Sequence, residues 1–539
     1  MRMFHKAPQT SPPTNPAPRS YRTQTPPSIQ VTCQESYDTT LFNKKSFKAR
    51  PTGTHADLLS TLPFDVTSHI FCHACKPTFH RNRKWQRDCD PLLLGQLSRR
   101  YRQYAWATSE LWTTIILQVL PSKVAAQTEL LEEWLVRTMG RPIDIYFEID
   151  TQLPTRWEEL RLLSKTGLNN QPSVVPMIHL LAKHSLKWRR IEFHIPSTWY
   201  RLFASSTKYL IVAPDNHEVQ HISIPLDLPA LISASLHCSD GVTTMARQGV
   251  ELDLILAPSL RALSLSRFQI SPIIFERVDF KQITDLTLAY VFGIKLPDLL
   301  LRLPNLREAT FHNTTFSQLQ SQTITHKKLC KLEVDVHQER LLLAILGYVI
   351  LPRLEVLSVC IPTTMGYSTM FRRFTLPSSE SHITSLSLSC KITKEFHLID
   401  VLSALDTLQE LYIQDSSTEA TPDFGLSREF FDVFHPEEEL PQLPSLELFS
   451  YKGNLVVQAI DFLDPLVIRS RTRGGREGRD GNLAKFAVLR KVRIQADQMS
   501  KSAEFSIAEY PDSQFIWEVM MMMERGSLEL ITMDGKCWE

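Results

Sequence analysis

A seven-residue pattern, x-Leu-x-x-Leu-x-Leu in its fullest form, returns nine times between residues 259 and 494. Its copies read SLRALSL (259–265), QITDLTL (282–288), NLREATF (305–311), KLCKLEV (328–334), RLEVLSV (353–359), HITSLSL (382–388), TLQELYI (407–413), SLELFSY (445–451) and VLRKVRI (488–494). The first anchors, Leu260, Ile283, Leu306 and Leu329, stand 23 residues apart, and later gaps run 25, 29, 25, 38 and 43. Within each copy, apolar and polar positions alternate with the two-residue period of a strand. A 23-residue spacing leaves room for that strand and one return helix per unit. Units of this kind cannot bury their apolar face alone and must stack on their neighbours.

The period and the Leu-x-x-Leu-x-Leu core resemble leucine-rich repeats. At the position where that family carries Asn or Cys, this chain has Phe268, Val291, Thr314 and His337. The resemblance therefore implies an irregular α/β solenoid without a regular Asn ladder. The alternative is an ordinary α/β domain with leucine-rich strands. Upstream, VAAQTELLEEWLVRT predicts a helix and PIDIYFEI (142–149) a strand, and MIHLLAKHSLKWRRIEFHI repeats that step. Trp517 with the VMMMME run predicts a terminal capping helix, its methionines in the core.

If the leucines point inward, the intervening residues line the concave wall. These begin with Ala262, Ser264 and Ser266 and include Asp285, Glu308, His312, Glu333, Asp335, Glu410, Tyr412, Lys491 and Arg493. The middle of the wall is small and mildly acidic and its C-terminal end basic. That pattern makes these nine residues the candidate binding surface for a protein substrate, with basic segments favoured in the middle.

The first folded segment is HADLLSTLPFDVTSHIFCHAC, where Thr61 can cap a helix, Pro63 suits its first turn and Asp65 favours the positive end of the helix dipole. Leu62, Val66 and Ile70 then recur every four residues, with Phe71 beside them. In the following PLLLGQLSRRYRQYAWATSELWTTI (91–115), Asp90 can cap and Pro91 start a second helix. Leu93, Leu97, Tyr101 and Tyr104 fall on one face of it, and Arg99, Arg100 and Arg102 fall largely elsewhere. Leu111 and Trp112 can close a small core. About sixty residues of short helices bury little surface and gain from a partner.

These segments resemble the F-box in the variant common in large fungal families: Leu-Pro, an acid, an Ile-Phe pair, a Leu-rich basic helix and a final Leu-Trp pair. Ser98 stands where the family has Cys, Tyr101 where it has Trp, and the charged TFHRNRKWQRDCD separates the first two helices. The resemblance implies a small all-α module that docks on the adaptor subunit of cullin–RING ubiquitin ligases, and through it on the cullin. Leu62, Pro63, Ile70, Leu92, Leu97 and Trp112 match the family's hydrophobic positions. It implies a substrate-receptor subunit without its own active site. The alternative is a leucine-rich-repeat scaffold outside any ligase, its first helices merely capping the repeats.

Lys+Arg 59 against Asp+Glu 58 gives a net charge of +1, so no whole-chain field favours nucleic acid. Nine cysteines scattered from Cys33 to Cys537 without a framework, and no signal-peptide core, predict a reduced protein of the cytoplasm or nucleus. LLLAILGYVILP (341–352) is too short to span a bilayer and reads as a buried helix. Cys72-x-x-Cys75, with His73, His80 and Cys89 nearby, has zinc-ligand types but no second Cys-x-x-Cys pair, so no metal and no cofactor is assigned. No phosphate loop, Gly-x-Ser-x-Gly or His-Glu-x-x-His motif occurs. The chain thus divides into a disordered Pro/Ser/Thr-rich tail (1–55), the helical module (56–118) and the repeats (119–539), with RSRTRGGREGRDGN (469–482) as a flexible insertion.

Overall fold

Fourteen strands form a single sheet in which every strand runs parallel to its neighbours and the order across the sheet is the order along the chain. They are β1 (Thr114–Val119), β2 (Ile143–Ile149), β3 (Trp188–Ile195), β4 (Ser233–Cys238), β5 (Ala262–Ser266), β6 (Asp285–Ala289) and β7 (Glu308–His312). The rest are β8 (Lys331–Asp335), β9 (Val356–Thr364), β10 (Ser385–Lys391), β11 (Glu410–Asp415), β12 (Leu448–Leu455), β13 (Lys491–Met499) and β14 (Leu528–Ile531). The computed structural model describes residues 61–79, 85–87, 89–149, 173–206, 208–212, 219–223, 227–239, 257–268, 280–316, 323–335, 349–364, 382–392, 395–403, 405–415, 425–434, 443–455, 457, 459–471, 487, 489–499 and 513–531. The expected tail (1–55) lies outside them.

All nine repeated motifs contribute strands, and their register aligns equivalent positions. Leu263, Leu286, Ala309, Leu332, Leu357, Leu386, Leu411, Phe449 and Val492 form one continuous cross-strand row. Leu265, Leu288, Phe311, Val334, Val359, Leu388, Ile413, Tyr451 and Ile494 form the next, and every member of both rows is buried. Each Leu, Ile, Val or Phe among them contributes about 1.5–3 kcal/mol by leaving water. At the strand starts one carbonyl accepts two N–H groups from the next strand: Thr284 O from Arg307 and Glu308, Arg307 O from Cys330 and Lys331. A second regularity marks the strand ends. Arg267, Tyr290 and Asn313, again 23 apart, all have positive φ (62°, 54° and 48°), and their N–H groups donate to Ala289, His312 and Asp335 O of the next strand.

Eleven α-helices occur among the described residues. α1 (Phe64–Ala74), α2 (Pro91–Leu97) and α3 (Arg99–Ala107) precede the sheet; α4 (Val124–Arg137), α5 (Val175–Lys183), α6 (Ser197–Ser206), α7 (Leu296–Arg302), α8 (Glu395–Leu402), α9 (Arg428–Asp432), α10 (Ala459–Arg471) and α11 (Ser513–Glu524) lie between strands. The inward faces of these helices and the strand leucines make one apolar core. The class is therefore mixed α/β with a large parallel sheet. No helix among the described residues is long and apolar enough to cross a membrane.

Several local expectations are corrected. The basic helix is two helices: Ser98 is extended (φ −156°, ψ 160°), and its Oγ accepts from Tyr101 N at 3.0 Å, capping α3. Leu93 and Leu97 therefore do not share a face with Tyr101; they are exposed and Tyr101 is buried. Pro63, not Thr61, occupies the N-cap of α1. The charged insertion contains an antiparallel pair, Pro77–Phe79 with Trp85–Arg87, so the first module is not all-α. Thr114–Val119, inside the span expected for the helical module, is the first strand of the sheet. Leu59–Glu539 forms one compact unit. Val349–Ile350 is a short strand paired with Ile324–Thr325 rather than part of a helix; residues 341–348 lie outside the described set. Arg469 is no loop residue. It is buried within α10 and donates to Leu443 O, while residues 472–482 are not described.

Candidate functional site

Two surfaces carry the candidate residues. On the sheet, the residues between the buried leucines all fall on the opposite, partly exposed face. Register joins Asp285, Glu308 and Lys331 in one row, Thr310, Glu333 and Ser358 in a second, and His312, Asp335 and Cys360 in a third. In the middle of the sheet, Lys331 Nζ stands 3.5 Å from Glu308, and His312 stands 4.0 Å from Glu333 and 3.7 Å from Asp335. Lys331 and His312 thus temper the four carboxylates without matching them, and the patch remains acidic. Burial pushes the Cys360 thiol up, the Ser389 hydrogen bond opposing it and the nearby Asp335 adding to it. Burial, then Glu410, does the same for the Tyr412 phenol.

At the far end, Lys491 and Arg493 lie 2.8 and 3.6 Å from Glu529 on β14. The basic end expected there is partly neutralised by a strand that the repeated motif does not announce. Those two cations in turn hold the Glu529 carboxyl below its ordinary range, the Lys491 hydrogen bond being the largest cause.

The same face continues onto β1–β4, where the motif search named no candidates. Asp144 is buried, and Arg189 donates to both its oxygens at 2.8 and 2.6 Å. Tyr146 beside it is pushed up to about 12 by burial and then by Asp144 and Glu192. His194 and His237 stack with ring centroids 5.0 Å apart, and Glu192 lies 3.2 Å from His194. Alternation within PIDIYFEI and WRRIEFHI was the available signal for these positions.

The second surface is the helical module. Its core is Phe71, Cys75, Leu94, Tyr101, Ala105, Leu111 and Trp112, and Thr108 Oγ1 donates to Ser68 Oγ at 2.8 Å across it. Of the six docking candidates, Pro63, Ile70 and Leu97 are exposed, while Leu62 and Leu92 are half-buried. Trp112 is corrected to a core residue. It is 0% exposed, donates to Ala105 O at 2.9 Å and lies under the Arg137 guanidinium, 4.8 Å from the ring centroid. Phe64, Val66 and Leu93, absent from the candidate set, are exposed apolar residues of the same helices.

Among the described residues no group of three or more His, Cys, Asp or Glu could hold a metal ion. No protein-family model matches the chain, and no curated protein matches it as a relative.

Proposed function

We propose that the chain is the substrate-receptor subunit of a cullin–RING ubiquitin ligase, with an irregular leucine-rich-repeat solenoid behind an F-box-like module. In this reading the module docks on the ligase adaptor and the acidic middle of the sheet face receives a basic segment of a protein substrate. The chain supplies proximity and orientation, and the chemistry belongs to other subunits. The observation that carries the reading is the exposure of five large apolar side chains on α1 and α2: Phe64 at 40%, Val66 at 44%, Ile70 at 37%, Leu93 at 42% and Leu97 at 69%. An amphipathic stripe left uncovered next to a completed core gains free energy only from a partner.

Co-purification of the full chain with the adaptor tests this. Leu97→Glu should abolish capture while changing stability by no more than about 0.5 kcal/mol, because that side chain is 69% exposed. Retained capture by that variant, or no capture by the native chain, would overturn the reading in favour of a scaffold outside the ligase.

A further inference from the structure

The fourteen-stranded sheet begins on an open edge. β1 pairs with β2 on one side and with no described strand on the other. Asp144 N donates to Thr113 O, which fixes the alternation along β1. Ile115 and Leu117 turn their N–H and C=O towards β2, and Thr114, Ile116 and Gln118 turn theirs away. Ile116 N and O have no hydrogen-bond partner among the described residues. Further along, the Gln127 side chain of α4 occupies the edge as a strand backbone would. Its Nε2 donates to Gln118 O at 2.8 Å, and its Oε1 accepts from Leu120 N at 3.2 Å.

Edge strands are ordinarily short, charged or interrupted by proline, because an uncovered edge recruits foreign strands. β14, at the other end of the sheet, is four residues long and carries Glu529. β1 reads TIILQV, six residues with no charge and no proline. It also lines a groove of about 380 Å3, in which residues 115–118 face Leu130, Leu131 and Trp134 of α4 and Asp90 and Leu92 of the α2 start. Register places Leu117 in one core row with Phe147, Phe193, Leu236 and Leu265. Those four are buried, whereas Leu117 is half-buried and borders the groove. The row stops one strand short of closure.

A strand laid beside β1 would meet Ile116 N–H and C=O with its own backbone and set alternate side chains over Leu117 and Leu130. The groove lining holds one acid, Asp90, and no cation. Asp90 Oδ1 accepts from Leu92 N at 2.8 Å, and no described cation lies within ion-pair distance of the carboxylate. The complementary charge is therefore a basic residue on the incoming segment.

We propose that the edge of β1 takes up an extended segment of a partner protein as an added strand, apolar at alternate positions and with a Lys or Arg against Asp90. The site lies beside the docking helices and does not depend on ligase membership.

Fluorescence anisotropy with the full chain and a synthetic peptide, Lys-Val-Thr-Val-Thr-Val-Thr, tests it. One comparator has its three central amides N-methylated, and the other has Glu in place of Lys. The parent peptide should bind at least about tenfold more tightly than the first and at least about threefold more tightly than the second. Ile116→Pro removes an N–H that the β1–β2 ladder does not use and should abolish binding. Leu130→Lys, at a position 39% exposed, should weaken it at least about tenfold, and circular dichroism checks that each variant is folded. Leu97→Glu, outside the groove, should leave binding intact, which separates this site from adaptor docking. Light scattering should show a monomer without peptide. Equal binding of the N-methylated or the Glu peptide, no binding of any peptide, or full binding by folded Leu130→Lys would overturn the proposal. So would equal loss in Leu97→Glu, or a dimer that Ile116→Pro dissociates, which would assign the edge to a second copy.

Discussion

His237 holds a proton in an unfolded chain at mildly acidic pH and gives it up on folding. Its ring is pushed down to about 4, first by burial and then by His194 and Arg267 beside it. An ordinary histidine titrates near 6.5. Between those values the unfolded chain binds more protons than the native one, so stability rises with pH across the window. The contribution is complete above about pH 6.5 and is lost as pH falls towards 4. The ring is only partly buried, so solvent screening limits the effect to about 1–2 kcal/mol. Urea unfolding of native protein and His237→Gln should therefore show the native chain losing about that much more stability on acidification. Parallel curves would show that the ring is solvated in the fold. Asp144, two strands away on β2, solves the opposite problem, a buried anion, by taking both hydrogen bonds from Arg189. Neither solution could be read from the sequence, because each depends on which residues the register brings opposite.

At the scale of elements, the pairing of β12 with β13 shows where register breaks. Their pairing shifts at Gly453–Asn454, and Gly453 has φ 154°. A Cβ built there would lie 2.5 Å from Asp415 Cβ and 2.8 Å from the Tyr451 hydroxyl. Asp415 is buried and Tyr451 is 0% exposed, so neither can swing aside freely. Gly453→Ala should thus cost about 1–3 kcal/mol by overpacking, read as a lowered denaturation midpoint with an unchanged slope. Gly140 and Gly526, which have nothing within 4 Å of the same position, provide the contrast for crowding. The alternation that makes SLELFSY a strand was plain, since apolar residues at every second position leave little else for a short segment to form. The bulge was not, because it lies in the pairing with a strand more than thirty residues later in the chain. β1, β4 and β14 were missed for a different reason. SASLHC carries small residues with weak contrast, and TIILQV follows a helical module without a turn signal. The split of α2 from α3 at Ser98 shows the same limit: helical spacing continues through the extended residue whose hydroxyl starts the second helix.

The sheet as a whole has a consequence that no single strand carries. Every strand pairs with its immediate predecessor and successor in the chain, and none with a distant one. Stability in such an arrangement is close to a sum of local terms and neighbour interfaces, so damage at one end need not reach the other. The N-terminal end offers a clean lesion. Trp112 joins α3 to α4, which packs on the sheet: its indole donates to Ala105 O, its carbonyl accepts from Trp134 Nε1 at 2.8 Å, and the two rings meet at 4.8 Å. Truncating a fully buried Trp to Ala costs about 3–5 kcal/mol. Hydrogen exchange on Trp112→Ala should show protection lost across α3, β1, α4 and β2 and kept from β10 to β13. The loss should fade strand by strand between them, as each interface passes on only part of it. Equal loss across all fourteen strands would mean instead that the single apolar core, continuous from Phe71 to Leu530, unfolds as one cooperative unit despite its neighbour-only pairing.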